Sequence, residues 1–137
     1  MIPAGLLTIL DRFFLLFHTV FTLFNIFGWI WRKTRKIHLV TMGLTAMSWF
    51  ILGIWYGWGY CFCTDWHWQV REALHNPIAS YSYIHFLIHE ISGRWLDPDL
   101  VDRATLGVFI TALTLTLHLN LRDRRKSRDS ASRISVK

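Results

Sequence analysis

The stretch that decides the fold is residues 13–36, FFLLFHTVFTLFNIFGWIWRKTRK, in which an uncharged apolar run leads into a basic patch. Residues 13–31 contain no Asp, Glu, Lys or Arg, and neither do residues 39–62 or 104–121. Helices of this length can cross the hydrocarbon core of a bilayer, which is about 30 Å thick. The sequence therefore predicts an all-α integral membrane protein with three transmembrane helices, at about residues 13–31, 39–60 and 104–121.

The positive charges predict how these helices are oriented. Eleven of the 15 Lys and Arg residues lie in two patches, residues 32–36 and 122–137, each of which follows an apolar run. Lys and Arg next to transmembrane helices stay on the cytoplasmic side, so both patches are expected there. The N-terminus and a helical segment over residues 61–103 are then outside, and the C-terminus is cytoplasmic. Residues 1–121 form one helical membrane domain, and the polar, basic tail 122–137 is expected to be disordered.

The stretch 80–96 is the one further candidate for a transmembrane helix. It contains His85, His89, Glu90 and Arg94, which are costly to bury in hydrocarbon, and a fourth crossing would move the basic tail outside. We therefore expect an amphipathic helix at the outer interface instead. Its apolar face is predicted to carry Ile84, Leu87, Ile88, Ile91 and Trp95, with His85, His89 and Ser92 on another face.

The composition excludes other classes of protein. A hydrophobic content of 53% is too high for a soluble domain of 137 residues, which could not bury so much apolar surface. The net charge of +6 comes mainly from juxtamembrane residues, which fix topology and attract anionic lipid headgroups. The expected partners are the lipid bilayer and other membrane-protein subunits, and no nucleic acid.

Seven histidines in a chain of this size suggest a haem or metal site, and the hypothesis depends on their depth. Haem between two transmembrane helices needs a His from each at one depth, and only His38 and His118 qualify. Both lie near the cytoplasmic boundary, where hydrogen bonding at the headgroups is the simpler interpretation. His18 and Asn25 are seven residues apart on one helix face. They predict a helix–helix contact, with a ligand or quinone contact as the alternative.

The external segment 60–71, YCFCTDWHWQVR, is the richest in chemically active side chains. Thr64 or Asp65 is expected to cap a short helix over residues 66–75. Cys61, Cys63 and His67 are candidate zinc or copper ligands, but Cys-x-Cys is not a standard spacing, and two free cysteines are the alternative. The candidate ligand or partner contacts in the whole chain are His18, Asn25, Thr64, Asp65, His67, Arg71, His85 and His89.

No catalytic motif stands out in the chain. It has no G-x-S-x-G, no phosphate-binding glycine loop and no helical H-E-x-x-H. The sequence requires no cofactor, and it leaves open whether the protein is an enzyme.

Several features occur in a recognisable order along the chain: an acidic residue before a span, a His within that span, a basic loop with a second His, and an external Cys-x-x-Thr followed by Arg. In this chain they are Asp11, His18, residues 32–38, residues 61–64 and Arg71. In this order the chain resembles domain of unknown function family 2784, which comprises small bacterial inner-membrane proteins. The resemblance covers about residues 11–125. It implies a multi-pass protein of the bacterial inner membrane, but no activity, cofactor or substrate.

The sequence departs from that family pattern at Phe62, where the family often has Pro, and in its second cysteine, Cys63. The leading hypothesis is a small inner-membrane protein that acts by binding, as an accessory subunit of a membrane complex. The alternative is a redox, haem or metal-binding membrane protein that uses the extracytoplasmic His and Cys residues.

Overall fold

The structure is a computed structural model that describes residues 2–78, 80 and 82–135. The helices in this part of the chain are α1 (Ala4–Phe27), α2 (Arg35–Ala46), α3 (Gly53–Tyr56), α4 (Phe62–Ala73), α5 (Tyr83–Ser92) and α6 (Pro98–Ser135). A π-helical segment, Met47–Leu52, joins α2 to α3 without a break. The described chain contains no β-strand.

Within the described part of the chain, three helical stretches are long and apolar enough to cross a membrane: Ala4–Phe27, Arg35–Tyr56 and Pro98–Ser130. The predicted all-α fold with three such helices is therefore confirmed, although the bounds move. The first helix starts earlier than predicted because residues 4–10 are apolar and nothing at Asp11 interrupts the helix. The second ends earlier than residue 60 because Gly57 has a φ of 103°, outside the helical region.

The chain folds back after α3 and starts α4 beside the middle of α1. Gly57 and Gly59 both have positive φ, and Ser48 Oγ donates a hydrogen bond of 2.8 Å to the Tyr60 carbonyl. Thr64 or Asp65 was expected to cap α4, and this prediction is wrong. The helix begins at Phe62, and Cys61 occupies the capping position without a side-chain cap bond in the described structure.

Helix α5 has ten residues, so at 1.5 Å per residue it is about 15 Å long and too short to cross a bilayer. Its C-terminus is Gly93, in the left-handed conformation that glycine favours. The predicted apolar face is wrong in part, because Tyr83, His85, Phe86 and Leu87 are the buried residues. Ile91 is 74% exposed. The face of α5 that carries Tyr83 and Phe86 is turned inward because Phe86 packs against Trp68 of α4. His85 can be buried because both of its ring nitrogens are hydrogen-bonded.

The interior consists of two small clusters of apolar side chains. Met42, Phe109 and Ala112 pack between α2 and α6. Tyr83, Phe86 and Leu87 of α5 pack against Trp68 and Leu15. The second cluster covers the polar groups of α1 and α4.

Helix α6 continues into the basic tail as far as Ser135. The helix is already formed when it enters the tail, so each further residue adds a hydrogen bond without a new nucleation step. Arg35 forms an ion pair of 2.8 Å with Asp123, and Asn120 Nδ2 donates to the Arg35 carbonyl at 3.1 Å. These contacts join the start of the tail to α2.

Candidate functional site

Polar side chains of α1 and α4 face each other along the two helices. We define the polar cluster as Asp11 and His18 of α1 with Thr64, His67 and Arg71 of α4. Residues spaced by three, four or seven positions share one face of an α-helix, so each helix presents one polar stripe. Asp11 meets His67 and Arg71, whereas His18 meets Thr64, so the two helices are antiparallel.

Asp11 is the acceptor at one end of the polar cluster. Its Oδ1 lies 2.9 Å from His67 Nε2 and 3.3 Å from Arg71 Nη1. A carboxylate can only accept hydrogen bonds, so the imidazole hydrogen of neutral His67 is on Nε2. His67 Nδ1 is then an acceptor. It is buried and has no hydrogen-bond partner among the described residues.

Burial sets the ionisation of His67. The residue is 0% exposed, and loss of hydration lowers its pKa from the ordinary value of 6.5. The hydrogen bond and charge of Asp11 act in the opposite direction, and the Arg71 charge lowers the pKa further. The net shift is downward, so His67 is neutral at pH 7.

Aromatic rings surround the His67 imidazole. Phe14 is stacked on it with centroids 5.5 Å apart, and Trp68 and Tyr83 lie at 5.6 Å and 5.8 Å. Phe86 approaches edge-on at 6.1 Å, and its ring also receives the Arg71 guanidinium at 5.0 Å. Burial raises the pKa of Tyr83, so its hydroxyl stays protonated.

His18 marks the deeper end of the polar cluster. Its Nδ1 donates to the Phe14 carbonyl at 3.3 Å, so Nε2 is the acceptor for Thr64 Oγ1 at 3.2 Å. Cys61 Sγ is 3.9 Å from the same nitrogen. The Tyr83 ring stacks on His18 with centroids 3.9 Å apart.

Asn25 belongs to a separate contact, between α1 and α2. Its Oδ1 accepts from Thr41 Oγ1 at 2.9 Å, and its Nδ2 donates to Thr45 Oγ1 at 3.3 Å. The Asn25 carbonyl accepts from His38 Nε2 at 3.0 Å. For Asn25 the structure shows the helix–helix contact that the sequence predicted. His38 is fully buried and His118 is exposed, so the two do not form a pair.

Besides Asn25, three of the sequence-predicted site residues lie apart from the polar cluster. Asp65 accepts a hydrogen bond of 3.0 Å from Gln69 on the exposed side of α4. His85 is bonded to Ser80 and to the Leu96 carbonyl, each at 2.8 Å. His89 stacks on Trp95 with centroids 3.8 Å apart.

The candidate metal ligands do not converge. No three His, Cys, Asp or Glu residues in the described part of the chain form a group that could hold a metal ion. Cys61 and Cys63 are free thiols, and burial raises the pKa of Cys63 to about 11. His67 directs Nε2 at Asp11 and Cys61 approaches His18, so the structure adds no support for the metal hypothesis.

Asp11, Tyr83 and Phe86 were not predicted from the sequence as site residues. Asp11 was placed in the external N-terminus because the first span was started at residue 13. Asp11 could have been predicted as a site residue because it lies seven residues before His18, a spacing that puts both residues on one helix face. Tyr83 and Phe86 gave no such signal, because their role depends on how α5 packs.

A family model described as "Protein of Unknown function (DUF2784)" matches residues 8–121. This range contains the whole polar cluster and ends where the basic tail begins. Neither the curated proteins nor the solved structures gave a significant match.

Proposed function

This chain belongs to the DUF2784 family, and we propose that it is a binding protein of the membrane, with the polar cluster as its binding site. The observation that carries the proposal is the group Asp11–His67–Arg71, held between two helices, in which His67 is fully buried and Asp11 and Arg71 are largely buried. Ionisable residues beside a membrane-spanning helix are costly, and those that face the interior mark ligand or ion sites. Asn25, in contrast, forms its hydrogen bonds with residues of α2, so we interpret it as a packing contact between the two helices.

We place the protein in the bacterial inner membrane with its N-terminus outside and its C-terminus in the cytoplasm. The two basic patches support this orientation. His18 then lies about 14 Å from the cytoplasmic end of α1, at 1.5 Å per residue. Half of the hydrocarbon core is about 15 Å. The polar cluster therefore lies in the outer half of the bilayer, with His18 near the middle, where a membrane-soluble ligand can reach it.

We also propose that the protein is an accessory subunit, with a transmembrane helix of another protein packed against α1. Only 11% of the apolar window of α1 is buried within the chain. Phe13, Phe17 and Phe21 form a stacked ladder on this helix, with centroids 6.1 Å and 5.8 Å apart. Beside the ladder is a groove of about 280 Å³ between α1 and α2. Its lining residues are Phe17, Val20, Phe21, Phe24, Ile37 and Thr41.

Site-specific crosslinking tests the accessory role. A photoreactive amino acid at Val20, in the groove, is expected to form one crosslinked product with another membrane protein in cells. The same group at Ile54, which is 70% exposed on α3, is the matched control and should not form it. Native mass measurement after gentle solubilisation should show a second polypeptide with the 16.2 kDa chain. A lone chain, or equal crosslinking at both positions, would count against the accessory role.

The redox, haem or metal alternative has no specific observation in its favour. The described residues offer no three-ligand group, and His38 and His118 are not paired. Metal analysis and an absorption spectrum of the purified protein test this alternative directly.

A further inference from the structure

His67 Nδ1 is an acceptor that none of the described residues uses. The other ring nitrogen is committed to Asp11 at 2.9 Å, so neutral His67 presents only a lone pair at Nδ1. This atom is buried without a hydrogen-bond partner among the described residues. Most buried polar atoms are hydrogen-bonded, and an exception calls for a functional or structural explanation. A ligand that satisfies this atom must donate a hydrogen bond.

The charges around Nδ1 select a neutral ligand. Asp11 and Arg71 neutralise each other at 3.3 Å, and His67 is neutral. Glu90, the other charged group that acts on His67, is exposed to solvent. The Arg71 guanidinium is occupied by Asp11, by the Asn76 carbonyl at 3.4 Å and by the Phe86 ring. An anion would find no free cation in the cluster, and a cation would compete with two donors already on Asp11.

The aromatic rings around Nδ1 favour a ligand with a flat, apolar ring. Phe14, Trp68, Tyr83 and Phe86 present aromatic rings around the imidazole. Aromatic rings pack on other rings in stacked or edge-on arrangements. Phe86 and Tyr83 belong to the ten-residue α5, so movement of this short helix away from α4 would open a route to Nδ1.

We propose that the polar cluster binds a neutral, membrane-soluble molecule whose ring hydroxyl, of the phenol or hydroquinone type, donates its hydrogen to His67 Nδ1. The inference rests on the proposed binding role and names the class of ligand. Binding of this ligand involves no electron transfer. The ligand hydroxyl donates a hydrogen bond to the imidazole, and Asp11 holds the imidazole in place through Nε2.

Two pairs of probes test the inference with the purified full-length protein in lipid nanodiscs. The first pair is p-nonylphenol and its methyl ether, which differ in the hydrogen-bond donor. The second pair is decylubiquinol and decylubiquinone, compared without oxygen. Wild-type protein is expected to bind the donor member of at least one pair about tenfold more tightly, because an unmade buried hydrogen bond weakens binding by about that factor. The pair that shows the preference identifies a phenol or a hydroquinone as the source.

Two substitutions at one position separate the ring nitrogens. The amide of His67→Gln can replace Nε2–H towards Asp11 but offers nothing at the Nδ1 position, so the preference for the donor should disappear. The carbonyl of His67→Asn lies near the Nδ1 position, so that variant should keep a preference. Equal binding of both members of both pairs by wild-type protein would overturn the inference, as would an unchanged preference in His67→Gln. Crosslinking at Val20 does not depend on this result, so the accessory role and the ligand class can fail separately.

Discussion

At the scale of single residues, Asp11 organises the polar cluster. It accepts hydrogen bonds from both His67 and Arg71 through one oxygen. Removal of a partner from a buried charged group leaves the other groups unsatisfied, which is more damaging than loss of an exposed hydrogen bond. The cluster should therefore respond to changes at Asp11 much more than to changes at Asp65.

Asp11→Ala is expected to lower the free energy of unfolding by about 3 kcal/mol, because it strands the His67 Nε2–H and the Arg71 guanidinium. Asp65→Ala removes one exposed hydrogen bond and should change it by less than about 1 kcal/mol. Reversible unfolding in mixed detergent micelles measures both. The double variant Asp11→Ala/Arg71→Ala should recover part of the loss, and equal effects of the two single substitutions would contradict the assigned role of Asp11.

His67 is expected to make stability depend on pH. Its folded pKa is lowered from 6.5 mainly by burial, so the unfolded chain takes up the proton first as pH falls. The contribution is fully present above about pH 6.5 and is lost as pH falls from there towards the lowered pKa. The charged groups acting on His67 are Asp11, Arg71 and Glu90. Between pH 7.5 and 5.5 wild-type protein should lose more stability than His67→Gln, and parallel curves would refute this.

Protonation also changes what His67 offers to a ligand. Once Nδ1 carries a hydrogen, it donates instead of accepting. The preference for a hydroxyl donor should therefore hold from pH 8 through 6.5, because the pKa of folded His67 lies below its ordinary value, and it should weaken only as the pH approaches that lowered pKa. Titration of the affinity for p-nonylphenol and its methyl ether from pH 8 downwards measures the change. A preference that is already lost between pH 8 and 6.5 would contradict neutral His67 as the acceptor.

At the scale of helices, the turn between α3 and α4 positions the site. Gly57 has a φ of 103° and Gly59 of 82°, and the chain between them returns α4 to the level of His18. An L-residue is strained in this region. The geometry of the polar cluster therefore depends on a turn that glycine favours.

Gly57→Ala should destabilise the protein by about 1–3 kcal/mol, because alanine is strained at this φ. Gly43→Ala is the matched control: Gly43 lies within α2, and an added Cβ meets no atom within 4 Å. That change should stabilise by up to about 1 kcal/mol, since alanine favours helix. Thermal unfolding of both variants measures the pair, and effects of the same sign would be inconsistent with the observed turn.

The sequence predicted the helices more completely than it predicted their contacts. The three spans follow from length and charge, because any run of this kind must satisfy its backbone internally in a bilayer. The start of α4 was misplaced because Thr64 resembles an N-cap, whereas its hydroxyl is engaged by His18. The inward face of α5 was misassigned because burial of His85 depends on Ser80 and Leu96, which periodicity does not reveal. Local patterns specify helices, and long-range partners specify the site.

At the scale of the whole molecule, the proposal requires the polar cluster to be on the outer side of the membrane. A fusion after Asn76 shows on which side the polar cluster lies, because Asn76 follows α4 and its carbonyl accepts a hydrogen bond from Arg71 Nε at 3.4 Å. Lys36 lies at the start of the second membrane-spanning helix and Arg128 near the end of the third, each within a basic patch. The three positions therefore distinguish three spans from the four-span alternative.

The most direct test is a reporter fusion after Asn76, compared with fusions after Lys36 and Arg128. We expect an external signal after Asn76 and cytoplasmic signals after Lys36 and Arg128, as three spans with the N-terminus outside require. A cytoplasmic signal after Asn76 would place Asp11, His67 and Arg71 on the inner side and contradict the proposed binding site.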